Sequence, residues 1–198
     1  MTLTRRMTKF ALGAMLLPVV AAYAEKKPTL VLMHRNIQNV QDESNWIKMS
    51  NGLAHEGYRV ISVALLPDEN VAQSTTHMTN LLDQYKNGET FVLVGTAAVN
   101  ETASLVAKAE RSRVKAVVYI SAEDSVKTLG PHQVTVPAEL ASALPNYQVR
   151  ITNAKSVKGL VEKGSNTFQV REEGTSTLAN TEDLISALMT VSEKSKRA

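Results

Sequence analysis

Polar residues that could take part in acid–base chemistry follow one apolar run of this chain. The run is Ala116–Ile120, and the residues after it are Ser121, Glu123, Asp124 and His132. A continuous apolar run is typical of a buried strand, and α/β folds bind ligands at the carboxyl ends of such strands. Asp124 and His132 could form an acid–base pair beside the Ser121 hydroxyl. A solvated loop explains the same residues more simply, so both interpretations stay open.

A second stretch predicts a strand that turns sharply into a helix. The apolar run Phe91–Val94 continues as Gly95-Thr96-Ala97-Ala98-Val99, and a helical pattern follows. Where such a turn carries a nucleophile, that residue stands at its centre. The central residue here is Ala97, which has no reactive atom, and a threonine such as Thr96 is a weak nucleophile without a partnered base. The stretch therefore predicts the architecture of a site whose central reactive atom is missing.

The elements that must position these stretches alternate along the chain. Apolar runs predict buried strands at Thr29–His34 and Val60–Leu65, and weaker strands are expected at Gln148–Thr152 and Thr167–Val170. Between the strands, apolar residues such as Trp46, Met49 and Leu53 recur at helical spacing, which predicts helices. We expect Trp46, Met49 and Met78 on the helices, and Met33 on the first strand, to lie in the core. We expect a long loop over 35–43 and a short helix over 156–163. The alternation predicts an α/β three-layer sandwich, a mostly parallel sheet of about six strands with helices on both faces.

The first 24 residues have the pattern of a secretory signal peptide. Arg5, Arg6 and Lys9 precede the apolar run Phe10–Ala21, and Ala22-Tyr23-Ala24 fits a cleavage site after Ala24. The apolar run is shorter than the roughly 20 residues that a membrane helix needs. We therefore expect export to a bacterial periplasm by the general secretion route, with residues 25–198 as a single domain. A retained anchor is the alternative.

Composition narrows the classes of partner. The chain has 22 basic and 19 acidic residues, but three of the basic residues lie in the first 24 positions, so the remainder carries no net charge. Nothing in this balance favours nucleic acid as a partner. There is no cysteine, so the exported domain must be held together by its core without disulfides. His55 and His77 lie on predicted helix surfaces without metal-ligand spacing, and we expect no metal and no cofactor.

The succession of motifs resembles the α/β-hydrolase superfamily, most closely its small esterase and hydroxynitrile-lyase-like branch. Pro28–His34 is similar to that family's "P-x-V-L-V-H-G" strand, and Phe91–Ala97 is similar to "V-x-L-V-G-H-S". Gly57–Ile61, Leu66-Pro67 and Val114–Ile120 match in the same register, so the resemblance covers positions 28–123. It implies a minimal hydrolase fold, here without the usual cap insertion.

The chain differs from the family's pattern at the positions that carry catalysis. The resemblance implies a serine nucleophile at Ala97 and a small residue at Val99, and it implies a glycine, which admits oxyanion donors, at Arg35. The segment 153–156 holds no carboxylate for the acid, and the segment 171–179 holds no histidine for the base. A triad needs nucleophile, base and acid together, so we expect that hydrolase catalysis has been lost.

The sequence therefore favours a binding protein over an enzyme. Its ligand would be an unidentified small molecule or protein at the old active-site edge, contacted by His34, Arg35, Thr96, Ala97, Ala98, Glu123 and His132. His34 could instead have a structural role, and Arg35 could bind an anion or point to solvent. The alternative function is an esterase-type enzyme with a non-standard site built from Thr96, Ser121, Asp124 and His132. No stable membrane anchor is expected after signal cleavage.

Overall fold

A computed structural model of the chain describes residues 27–35, 40–85, 88–96, 99–122, 144–152, 161–162, 166–171 and 180–196. The expected signal peptide and the segment after the fourth strand, where a cap would be inserted, lie outside these residues. The elements in chain order are β1 (Thr29–Arg35), α1 (Val40–His55), β2 (Val60–Leu65), α2 (Val71–Asp83), β3 (Phe91–Thr96), α3 (Asn100–Ala109), β4 (Val114–Ala122), β5 (Asn146–Thr152), β6 (Val161–Glu162), β7 (Thr167–Arg171) and α4 (Thr181–Ser195).

The strands form one sheet in the order β2-β1-β3-β4-β5-β7-β6. Six of them are parallel, and the two-residue β6 pairs with β7 in the antiparallel sense. Helices α1 and α4 cover one face, while α2 and α3 cover the other. The predicted α/β three-layer architecture is therefore confirmed.

Each face of the sheet has its own apolar core because neighbouring residues of a strand point to opposite faces. In β1, Leu30 and Leu32 pack with Trp46, Met49 and Leu53 of α1. On the other face, Val31 and Met33 of the same strand pack with Met78 and Leu82 of α2. The predicted core positions of the methionines and the tryptophan are thus confirmed.

Three local expectations are wrong. The strand β2 is not buried on both faces, because it lies at the edge of the sheet and alternate residues are exposed. The loop after β1 is shorter than predicted: α1 already begins at Val40, with Asp42 and Glu43 in its first turn, where acidic side chains favour a helix. Val161 and Glu162 are not helical, because they pair with β7; residues 153–160 lie outside the described part.

The chain reverses its direction of travel across the sheet at β1. It passes from β1 outward to β2 at the edge, and then returns to β3 on the opposite side of β1. In open α/β sheets, ligands bind in the crevice outside the carboxyl ends of the two strands on either side of such a reversal. Here these ends are His34 and Arg35 on β1 and Thr96 on β3. All three are among the ligand-contact residues predicted from the sequence.

Candidate binding site at the carboxyl edge of the sheet

The turn after β3 depends on close packing of the strand against α3. A Cβ atom at Gly95 would lie 3.0 Å from the amide of Asn100, 3.4 Å from Val99 and 3.5 Å from Ala103. Distances this short leave little room for any side chain at position 95. Val99, which replaces the small residue implied by the resemblance, is buried in the core beneath the turn.

Asn100 fastens this turn from the first residue of α3. With its amide nitrogen turned toward the strand, Nδ2 donates to the carbonyl oxygens of Gly95 and Thr96, each at 3.0 Å. Asn100 is itself buried, so these hydrogen bonds form away from water, where an unpaired carbonyl would be costly. Sequence reasoning missed this residue. In the sequence, Asn100 is an asparagine at the start of a predicted helix, and this pattern ordinarily indicates a helix cap. It does not indicate hydrogen bonds to the end of the preceding strand, which we call the Asn100 clamp.

His34 stands at the end of β1 with its ring held by Trp46. The two ring centroids are 4.9 Å apart with an interplanar angle of 70°, an edge-on contact. Trp46 is held in turn, because its Nε1 donates to the Ser62 hydroxyl of β2 at 2.9 Å. This chain of contacts holds the imidazole on the α1 side of the sheet, near the carboxyl end of β1.

The imidazole of His34 is neutral at pH 7. Burial lowers its pKa below the ordinary value of 6.5, and the nearby Glu43 carboxylate opposes this only in part. Its Nδ1 atom is buried and has no hydrogen-bond partner among the described residues. His34 therefore places a half-buried imidazole, whose neutral form is favoured, beside the topological switch point.

The guanidinium group of Arg35 makes hydrogen bonds within the protein. One terminal nitrogen donates to the carbonyl oxygens of Glu69 and, at 3.5 Å, of Pro67, and the other donates to the Ser74 hydroxyl at 2.8 Å. Arg35 therefore ties the end of β1 to the loop between β2 and α2. These contacts explain an arginine at this position without an anionic ligand.

Ser74, Glu69 and His77 form a hydrogen-bonded group that has the residue types of a catalytic triad. The Ser74 hydroxyl donates to Glu69 at 3.1 Å, and His77 Nδ1 lies 3.3 Å from the other oxygen of the same carboxylate. In a triad the histidine stands between nucleophile and acid, whereas the carboxylate occupies the middle here. Ser74 is also fully buried. The group therefore holds the start of α2 and offers no accessible nucleophile.

The strand register places the described candidate site residues side by side at the carboxyl ends of β1, β3 and β4. Met33 pairs with Gly95, so His34 and Thr96 come next on adjacent strands, and Thr96 pairs with Ile120, which directly precedes Ser121. Thr96 is half-buried. Ser121 belongs to β4, but its side chain is not described. The other predicted contact residues, Ala97, Ala98, Glu123 and His132, lie outside the described residues, as does the catalytic candidate Asp124.

One further sequence expectation can be checked in the described part of the chain. His55 and His77 are both exposed, as predicted for helix-surface residues. Among the described residues, no group of three or more histidine, cysteine, aspartate or glutamate side chains is arranged to hold a metal ion. The described helices also include none with the length and apolar character to cross a membrane.

A surface hollow of about 590 Å³ lies along α2, away from the crevice between β1 and β3. Its lining side chains all belong to α2 or to the residue that follows it: Ala72, Gln73, Thr76, His77, Asn80, Leu81 and Gln84. Because the described residues supply no opposing wall, this hollow would leave a small ligand mostly in water. The crevice at the switch point remains the stronger candidate.

Comparison with known proteins supports the fold. The chain matches no protein-family model, and no curated protein is significantly similar to it. Among solved structures it is similar to an extracellular α/β-hydrolase from a Paenibacillus species, which is described as sharing structural and functional homology with tobacco salicylic acid binding protein 2. The TM-score is 0.51 at 12% sequence identity, over 83% of this chain and 99% of the other. The chain thus has an α/β-hydrolase-like fold.

Proposed function

We propose that the protein is an exported α/β-hydrolase-fold protein that has lost hydrolase catalysis and binds a small molecule between the carboxyl ends of β1 and β3. The observation that carries the proposal is an alanine at the position where the resembling family has its nucleophile, between a strand and a helix that are packed closely together. Asn100 of α3 bonds to the end of β3 and Gly95 lets the helix approach, yet Ala97 supplies no nucleophile. A strand and a helix packed in this way, without a reactive residue between them, are better suited to recognition than to covalent chemistry.

The described side chains at the crevice support binding. His34 is neutral, oriented by Trp46 and short of one hydrogen-bond partner, which suits it to contact an uncharged or aromatic ligand. Arg35, the cation nearest to it in the chain, is occupied by the loop between β2 and α2. We therefore assign ligand contact to His34 and Thr96, and, from the sequence alone, to Ala97, Ala98, Glu123 and His132.

Export is part of the same proposal. The apolar stretch near the N-terminus with its basic start favours secretion, and the similar Paenibacillus hydrolase is extracellular. N-terminal sequencing of protein recovered from the periplasm of an expressing bacterium tests this step. Cleavage after Ala24 is expected, and recovery of the uncleaved chain in the membrane fraction would contradict it.

A thermal-shift panel tests the binding step. The full chain is expressed, purified and heated with single compounds, beginning with salicylic acid, because the similar hydrolase is compared with a salicylic acid binding protein. A ligand at about 100 times its Kd adds about 2.7 kcal/mol of stability. For a domain of this size that raises Tm by roughly 5–10 °C.

Two histidine variants locate the ligand. His34→Ala should reduce the shift to less than half, whereas His55→Ala, which removes an exposed histidine at the end of α1, should leave it unchanged. A ligand shift that survives in His34→Ala would place the site elsewhere. A panel without any shift would argue against small-molecule binding.

A further inference from the structure

Two buried hydroxyl groups meet between β4 and α3. The Oη atom of Tyr119 and the Oγ atom of Ser104 are 2.7 Å apart, and both residues are buried. Ser104 donates its hydroxyl hydrogen to the carbonyl oxygen of Asn100 at 3.0 Å. A serine hydroxyl group has one hydrogen to donate, so the hydrogen between the two hydroxyl groups comes from Tyr119. The order of donation is therefore Tyr119 to Ser104, and Ser104 to Asn100.

The surroundings of Tyr119 keep its hydroxyl group protonated. Burial raises the pKa of Tyr119 above the ordinary value of 10, and the hydrogen bond with Ser104 opposes this only in part. A protonated hydroxyl group that is buried needs an acceptor, because leaving it unpaired away from water is costly. The Oγ atom of Ser104 is that acceptor, so the two side chains depend on each other for their hydrogen bonds.

The first turn of α3 has no side-chain cap in the described part of the chain. Val99 stands at the cap position, and its apolar side chain cannot accept a hydrogen bond from the helix. Helix ends fray, and the lack of a cap makes them less stable. Ser104 lies one turn further along and holds the carbonyl group of Asn100, the first residue of the helix. Tyr119 holds Ser104 in turn, so β4 tethers the start of α3.

Asn100 extends the same set of hydrogen bonds to β3. Through the Asn100 clamp, its side chain donates to the carbonyl oxygens of Gly95 and Thr96, the last two residues of the strand. Gly95 stands opposite Tyr119 in the register of β3 and β4. The three elements are thus joined to one another at the carboxyl end of β3, by the strand pairing, by the two hydroxyl groups and by the clamp.

From these contacts we propose that Tyr119 and Ser104 are positioning residues for the candidate binding site. Both are buried, so they act without touching the ligand: they hold Asn100 where its side chain can fix the backbone of Thr96. The link to a ligand rests on the proposed function, in which Thr96 is a contact residue. The coupling of Tyr119 and Ser104 to Asn100 does not depend on any ligand.

A double-mutant cycle, measured by urea unfolding of the full chain, tests the coupling. Tyr119→Phe removes one hydroxyl group and should raise the unfolding equilibrium constant of the wild type about tenfold. In the Asn100→Ala background, where no clamp is left to position, the same change should raise it only about twofold. The matched control Tyr147→Phe removes the hydroxyl group of another buried tyrosine, on the opposite face of the sheet, and should have the same effect in both backgrounds. Equal effects of Tyr119→Phe in the two backgrounds would overturn the proposal.

NMR of the Asn100 side-chain amide provides a second readout, which a general loss of stability would not move. In Tyr119→Phe, its protons should exchange with water about tenfold faster relative to those of Asn45, a buried asparagine of α1. An unchanged ratio of the two exchange rates would overturn the positioning role.

The link to the binding site has its own outcome. A compound of the thermal-shift panel that binds the wild type should bind Tyr119→Phe about threefold more weakly, because the site is less preorganised, and equal affinity would overturn this link. A panel in which no compound binds would contradict the proposed function, and it would leave the unfolding and NMR results unaffected.

Discussion

At the scale of single residues, two polar side chains at the end of one strand have different roles. Arg35 binds the loop between β2 and α2 and the Ser74 hydroxyl, while its neighbour His34 favours the neutral form and has no partner at Nδ1 among the described residues. The sequence placed both at the same predicted edge and left their roles open. It could not separate them, because the contacts of Arg35 come from Glu69 and Ser74, more than thirty residues further along the chain.

The protonation of His34 predicts how stability depends on pH. Its folded-state pKa is lowered by burial, so protons bind the unfolded chain more readily. The stability due to the neutral imidazole is present above about pH 6.5, the ordinary histidine value, and is lost as the pH falls below it. His34→Phe keeps an aromatic ring against Trp46 and removes the titration. Urea unfolding at pH 7.5 and pH 5.0 should therefore show a smaller loss of stability in this variant than in the wild type.

The matched control for this comparison is His55→Phe, which removes an exposed histidine from the same half of the chain. It should retain the pH dependence of the wild type. Equal losses in the wild type and in His34→Phe would contradict a neutral, half-buried His34.

At the scale of elements, the turn from β3 to α3 is held by the helix that follows it. Asn100 donates to two carbonyl groups of the strand end, and the absence of a side chain at Gly95 lets the helix approach. Sequence reasoning predicted the strand, the turn and the helix, because the apolar run and the glycine are local signals. It missed the hydrogen bonds from Asn100, because a side chain that bonds to the preceding strand leaves no periodic pattern in the sequence.

Removing the clamp should destabilise the protein measurably. Asn100→Ala leaves the carbonyl oxygens of Gly95 and Thr96 without their donor, at a cost of about 1–3 kcal/mol. Asn100→Asp keeps the shape but cannot donate, so it should cost a similar amount. The control Glu101→Ala changes the exposed neighbour on the same helix and should stay within about 0.5 kcal/mol. Urea unfolding measures all three, and an Asn100→Ala variant as stable as this control would contradict the clamp.

The wrong element predictions share a physical cause. The edge position of β2 follows from strand order, and a run of apolar residues does not reveal which strand stands last. The polar start of α1 resembles a loop although acidic residues favour a helix N-terminus. Val161 and Glu162 form a strand only because β7 pairs with them. In each case tertiary pairing or helix-end chemistry outweighed the local pattern.

At the scale of the whole molecule, alternating strands and helices were enough to predict the three-layer α/β fold. The order β2-β1-β3 was not predictable from residue pattern alone, yet it creates the switch point that brings His34 and Thr96 to adjacent positions. The similarity to an extracellular α/β-hydrolase supports the same fold. A scaffold of this kind can keep a binding crevice after its chemistry is lost, because fold and catalysis reside in different residues.

Hydrolysis of a chromogenic acyl ester by the purified full chain is the most direct test of the central claim. With Ala97 at the nucleophile position, we expect no turnover above a heat-denatured control and no labelling by a fluorophosphonate. Ester turnover that disappears in Thr96→Val or in His132→Ala would contradict the account, because it would show an active site built from the residues that remain.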